Sequence, residues 1–222
     1  MKKRILSLAI SAALVLTMLP AGALAAGDKG TPPVYNKATG CYEISTPDQL
    51  LYLSGRWKDG APRDGHYVLT ADIDMTGVKG FKPIASKKDK GFIGTFDGQF
   101  HAIKGLRVEY EKKYAGLFGY VGNQDDQAYI KDVALLDCYV TGQQNVGALA
   151  GVNYGTITGC VVTGEVKCLD LSNSHTAGGI CGKLKEGEGP IVGHVEDCYI
   201  NADVSAPYDA GGVAGIQDGG GY

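Results

Sequence analysis

The chain has 222 residues, with 21 basic and 24 acidic side chains, a formal charge of −3 and 34 glycines. That balance argues against nucleic acid as a partner, because a phosphate-binding surface needs a basic patch. Glycine stands at roughly twice its usual share, yet apolar residues are plentiful, so the chain folds and glycine takes positional roles.

Residues 1–25 read as a secretory signal peptide. "MKKR" precedes an apolar stretch from Ile5 to Leu19, and small residues at Ala23 and Ala25 mark a cut after Ala25. The stretch is too short for a membrane span, which needs about 20 apolar residues, and no later segment qualifies. Losing Lys2, Lys3 and Arg4 leaves 18 basic against 24 acidic residues, a charge of −6. All six cysteines remain, enough for three disulfides, and no Cys-x-x-Cys pair points to zinc or thioredoxin-like chemistry.

Residues 26–41 read as a linker and 42–93 as an N-terminal cap region. "STPDQLLYLSG" predicts a short helix, with Thr46 as N-cap, Pro47 in the first position, Gln49 closing a capping box, and Leu50, Leu51 and Leu53 on the apolar side. "GHYVLTADIDM" predicts one strand with Tyr67, Leu69, Ala71 and Ile73 alternating, and "ASKKDKG" a charged surface loop.

From residue 94 to 222 the chain repeats itself. The units "AGLFG", "GALAG", "GGICG" and "GGVAG" end at glycines 32, 31 and 33 residues apart. Between them a second unit carries apolar residues at positions one, four and six: "IKGLRV" from Ile103, "IKDVAL" from Ile130, "ITGCVV" from Ile157 and "VEDCYI" from Val195. Such a period predicts an all-β, parallel β-helix-like solenoid with glycine at the corners and the helix covering one end of the core. Cys160 and Cys198 share position four and should stack about 4.8 Å apart, as free thiols or as a disulfide. Cys181 takes the place of Phe118, Ala150 and Ala214.

The ordered blocks "ISTPDQLLYLS", "YVLTADIDM", "KPIA", "FIGTFDGQFHAIKGL" and "AGLFGYV", followed by units such as "VGALAGVNYGTITGC", resemble the GLUG-repeat region of bacterial surface proteins, over about Tyr42 to Gly215. That region is also found ahead of the peptidase module in IgA-cleaving metalloproteases. The resemblance implies an extracellular right-handed parallel β-solenoid inside a large modular protein, with no defined enzymatic activity of its own. This chain departs from the pattern by stopping in mid-repeat, so further repeats or an anchoring module are expected beyond Tyr222.

The chemical candidates reduce to scaffold. Asp97 precedes Gly98 as a turn former, with His101 and Lys104 beside it and unmatched in later copies. Asp72 and Asp74 at i, i+2 share one strand face, and Asp125 and Asp126 sit in a loop, whereas a glycosidase pair is assembled across separate elements. No His-Glu-x-x-His, Gly-x-Ser-x-Gly or phosphate loop occurs. The sequence therefore assigns no catalytic residue, cofactor or metal ligand. It points to an exported adhesion or spacer scaffold at the cell surface, facing a surface glycan or a protein of a host or neighbouring cell. The alternatives are a carbohydrate-cleaving β-helix enzyme using Asp72, Asp74, Asp97 or the Asp125/Asp126 pair, and the non-catalytic N-terminal part of a surface metalloprotease.

Overall fold

The computed structural model describes residues 30–55, 61–171, 175–186 and 191–218. The expected leader lies outside the described residues. The described chain is all-β, its sheets rich in parallel pairs, with one α-helix. It opens with an antiparallel hairpin of β1 (Val34–Asn36) and β2 (Cys41–Ile44), then α1 (Pro47–Leu53). Thr46 caps the helix by accepting the Gln49 amide at 3.3 Å, and the Gln49 side chain reaches back to the Ser45 amide at 2.7 Å. Leu50 and Leu53 are buried in the main core, so the short helix is held by its apolar face more than by its own hydrogen bonds.

The strand expected over "GHYVLTADIDM" is two strands, β3 (His66–Leu69) and β4 (Ile73–Asp74). The chain changes sheet between them: β3 joins β2 and β5, while β4 joins β6. Tyr67, Leu69 and Ile73 point inward as the alternation predicts, but Ala71 falls in the corner and is only half-buried.

Four repeat units follow. The first holds β5 (Thr95–Asp97), β6 (Ala102–Lys104), β7 (Arg107–Ala115) and β8 (Phe118–Val121). The second holds β9 (Tyr129–Lys131), the long β10 (Ala134–Gly147) and β11 (Ala150–Asn153). The third holds β12 (Thr156–Thr158), β13 (Val161–Cys168), β14 (Thr176–Gly178) and β15 (Cys181–Lys185). The fourth holds β16 (His194–Glu196), β17 (Tyr199–Ser205), β18 (Asp209–Gly211) and β19 (Ala214–Asp218).

Each unit feeds three sheets, of seven, eight and four strands, and successive units pair in parallel. Equivalent side chains therefore line up in rows: Phe96, Ile130, Ile157 and Val195 in the first sheet, Ile103, Leu135, Val162 and Ile200 in the second, Phe118, Ala150, Cys181 and Ala214 in the third. These rows point inward because strand side chains alternate, and they are fully buried until the fourth unit, where Val195, Ile200 and Ala214 are only half-covered. Phe96 and Phe92 each pack on Phe118, with centroids 5.5 and 5.1 Å apart.

The glycine-bounded units fall in register, but the first hexapeptide does not. Ile103 pairs with Leu135, and Phe96 takes the place beside Ile130. Leu106 lies one residue before the Arg107–Tyr139 pair, level with Cys138. The reason is a longer turn. Later units turn this corner with one left-handed residue, Asp132 (φ 53°), Gly159 (63°) or Asp197 (51°). The first unit uses two, Gln99 (47°) and Phe100 (63°), and Phe100 is pushed out to 81% exposure.

At the corner after β14 the chain turns so tightly that a Cβ on Gly178 would overlap the Cys181 carbonyl oxygen of its own unit, and it would also crowd the Gly215 amide nitrogen of the next. Only glycine fits such an approach.

Candidate functional site

Asp72 sits in the corner between β3 and β4, and its Oδ1 accepts the Ala102 amide at 3.0 Å and lies 3.0 Å from His101 Nδ1. The Ala102 amide first, then the His101 ring, holds its carboxyl below the ordinary range. Asp74 accepts the Thr76 amide at 2.9 Å, and the Thr76 side chain and amide likewise hold its carboxyl low. Lys104 stands opposite Asp74 in the β4–β6 register. A general acid needs its carboxyl raised by burial, and these two are exposed and lowered. The pair His101 and Asp72 is a clasp between adjoining chain passes. His101 lacks a match in later copies because its partner lies in the preceding pass, at a sequence distance no local pattern reveals.

Asp97 Oδ1 accepts the Gln99 amide at 2.9 Å, shaping the turn, and Oδ2 meets Lys131 Nζ at 2.8 Å in the next unit. Asp125 and Asp126 lie in the loop between β8 and β9, where Asn123 Oδ1 accepts both their amides at 2.7 and 2.8 Å. Here carboxylates from two chain passes do meet: Asp89, Asp125 and Asp126 line a cleft of about 300 Å³ with Arg63, Lys88 and Tyr154. That cleft also holds two cations and has no aliphatic wall.

All six cysteines are free thiols. Cys160 and Cys198 lie between the pairs Thr158–Glu196 and Val161–Tyr199, hence in adjacent positions of successive units. Cys160 Sγ donates to the Thr158 carbonyl at 3.2 Å and Cys198 Sγ to the Glu196 carbonyl at 3.1 Å. The Cys198 side chain beside it, followed by burial, pushes the Cys160 thiol up, and the Cys160 side chain pulls Cys198 down. Burial pushes Cys138 and Cys181 up to about 12. Among the described residues, no group of three or more His, Cys, Asp or Glu is placed to hold a metal ion, and no helix is long and apolar enough to cross a membrane.

A larger groove, about 720 Å³, lies where β10 is irregular between Gly142 and Gln144. β7 supplies Glu109, Tyr110 and Glu111, β10 supplies Tyr139 and Thr141, and the segment after β13 supplies Leu169, Asp170 and Leu171. The Arg107 guanidinium covers the Tyr139 ring at 4.3 Å and bonds Glu109 Oε1 at 3.0 Å. Asp170 Oδ2 lies 3.8 Å from His175 Nε2. No motif in the sequence marks this groove, because its walls come from separate stretches of the chain.

No family model matches the chain. Over 151 residues it is 32% identical to Halomucin of Haloquadratum walsbyi, a span taking in 64% of this chain and 2% of that protein. Over 101 residues it is 33% identical to a chain assigned as a Gly-rich membrane protein of Evansella cellulosilytica, covering 41% of this chain and 11% of that one. Among solved structures it superposes on a chain assigned as an immunoglobulin A1 protease from Bacteroides ovatus, with a TM-score of 0.68 and 26% identity, covering 86% of this chain and 55% of that one. The chain thus spans a small part of the curated relatives it matches.

Proposed function

We propose that the chain is an exported, non-enzymatic surface module: a right-handed parallel β-solenoid of GLUG type, with its leader in residues 1–25, serving as an adhesion or spacer scaffold within a larger modular protein. Register carries this reading. Four units pair row on row in three sheets, and Asp72, Asp97 and His101 tie one chain pass to the next. Right-handed crossovers are the rule for parallel strands joined within one sheet. The likeness to short stretches of much longer proteins, one of them assigned as a membrane protein, supports a modular surface setting.

The test is placement on intact cells. An epitope inserted in the exposed segment at Lys87–Lys90 should be reached by antibody without permeabilisation and removed by external protease; a tag reached only after lysis overturns the reading. The likeness to a chain assigned as an IgA1 protease supports a related role, the non-catalytic part of such an enzyme. Carbohydrate cleavage, favoured only by the meeting of Asp89 with Asp125 and Asp126, is checked by reducing-end release from polysaccharides, and none is expected.

A further inference from the structure

We propose that the groove between β7, β10 and the segment after β13 binds an extended polypeptide through an arginine or lysine side chain flanked by apolar residues. Charge comes first. Three carboxylates line the groove, Glu109, Glu111 and Asp170, and none of its lining residues is a lysine or arginine. Glu109 is already bonded to Arg107, but that pair is half-exposed or more on both sides, so its net strength is small and an incoming cation can share the carboxylate.

The second argument is apolar surface. Leu169 is 59% and Leu171 84% exposed on the same wall. Two neighbouring leucines held in water beside a cavity are covered favourably by an apolar partner, at about 25 cal/mol per Å² removed from water. A peptide carrying a cation between apolar side chains matches both features, and the volume falls within the range of about 300–1,000 Å³ typical of ligand sites.

Of the two tyrosines that line the groove, Tyr139 has a ring face covered by the Arg107 guanidinium at 4.3 Å, which closes that face to a stacking sugar.

The experiment is calorimetric titration of the purified chain with blocked tripeptides. Acetyl-Leu-Arg-Leu-amide should bind about tenfold more tightly than acetyl-Leu-Gln-Leu-amide, and weaken with added salt. The double variant Glu111→Gln/Asp170→Asn should lose about tenfold for the arginine peptide only, and Leu171→Ser should weaken both peptides. Asp97→Asn, far from the groove in the first sheet, should leave binding unchanged. Equal binding of the two peptides, no binding of either, a loss in Asp97→Asn matching that of the groove variants, or binding of a glucosamine trimer or calcium chloride in place of the peptide would each overturn the proposal.

Discussion

Cys198 lies over Cys160 in the next unit, and the two side chains act on each other, holding the Cys198 thiol below the ordinary thiol range while raising Cys160. That interaction favours thiolate at the half-exposed member of the pair. Iodoacetamide should therefore modify Cys198 before the other five cysteines, with its half-maximal rate below the pH of about 8.5 expected for a free thiol. Cys160→Val, which copies Val133 at the same position of the repeat, should move that midpoint upward. Peptide mapping of alkylated sites against pH reads both; a Cys198 no faster than the half-exposed Cys41 would contradict the finding.

The buried thiols make the fold sensitive to alkali. A thiol whose folded pKa is raised stays protonated in the native state while the unfolded chain ionises, so stability falls as pH rises above the unfolded value. For Cys181, raised to about 12, that window opens near pH 8.5 and closes near its folded value. The loss should reach about 2 kcal/mol by pH 10. Cys181→Ala restores the residue found at Ala150 and Ala214. Urea unfolding should show it less stable at pH 7 by a constant packing loss, yet with a smaller decline between neutral and alkaline pH.

Gly179 and Gly212 occupy the same place in successive units, yet a Cβ on Gly179 would overlap the Gly212 carbonyl oxygen, whereas one on Gly212 meets nothing within 4 Å. Gly179→Ala should lower stability by about 1–3 kcal/mol, and Gly212→Ala should stay within about 0.5 kcal/mol of the parent. Urea midpoints of the two variants provide the comparison. Equal effects would mean that successive units do not approach each other as the register requires.

Asp72 and Asp74 should titrate below the ordinary aspartate value of about 3.9 when followed by carbon NMR of the carboxyls. Lowered folded values stabilise the protein above the unfolded pKa, and that gain is lost as pH falls through the folded pKa. Both side chains are exposed, so solvent screening keeps the effect small. Asp72→Asn should leave the unfolding midpoint at neutral pH nearly unchanged.

The sequence carried the repeat because the inward rows use apolar residues at fixed spacing and the corners use glycine where no side chain fits. Gly147, Gly178 and Gly211 needed no partner information to be aligned. It misplaced Ile103 because Ile-x-x-Leu-x-Val satisfies the same pattern as Ile130–Leu135, while the true equivalent, Phe96, differs in type and is separated by a longer turn. The clasp of His101 to Asp72 and the groove at Leu171 were out of reach for a different reason. Both are made by side chains from separate passes of the chain, and no single stretch contains them.

The uneven covering of the two ends gives the isolated chain a direction. Helix α1 and the β1–β2 hairpin close one end, while Tyr199, Tyr208, Val213 and Ile216 of the fourth unit remain 60%, 54%, 43% and 38% exposed. Each unit is held chiefly by its neighbours, so among the described units opening starts at the least covered and advances unit by unit. Amide deuterium exchange would then read as a clock along the sequence, fastest at β19 and slowest around Phe96 and Phe118.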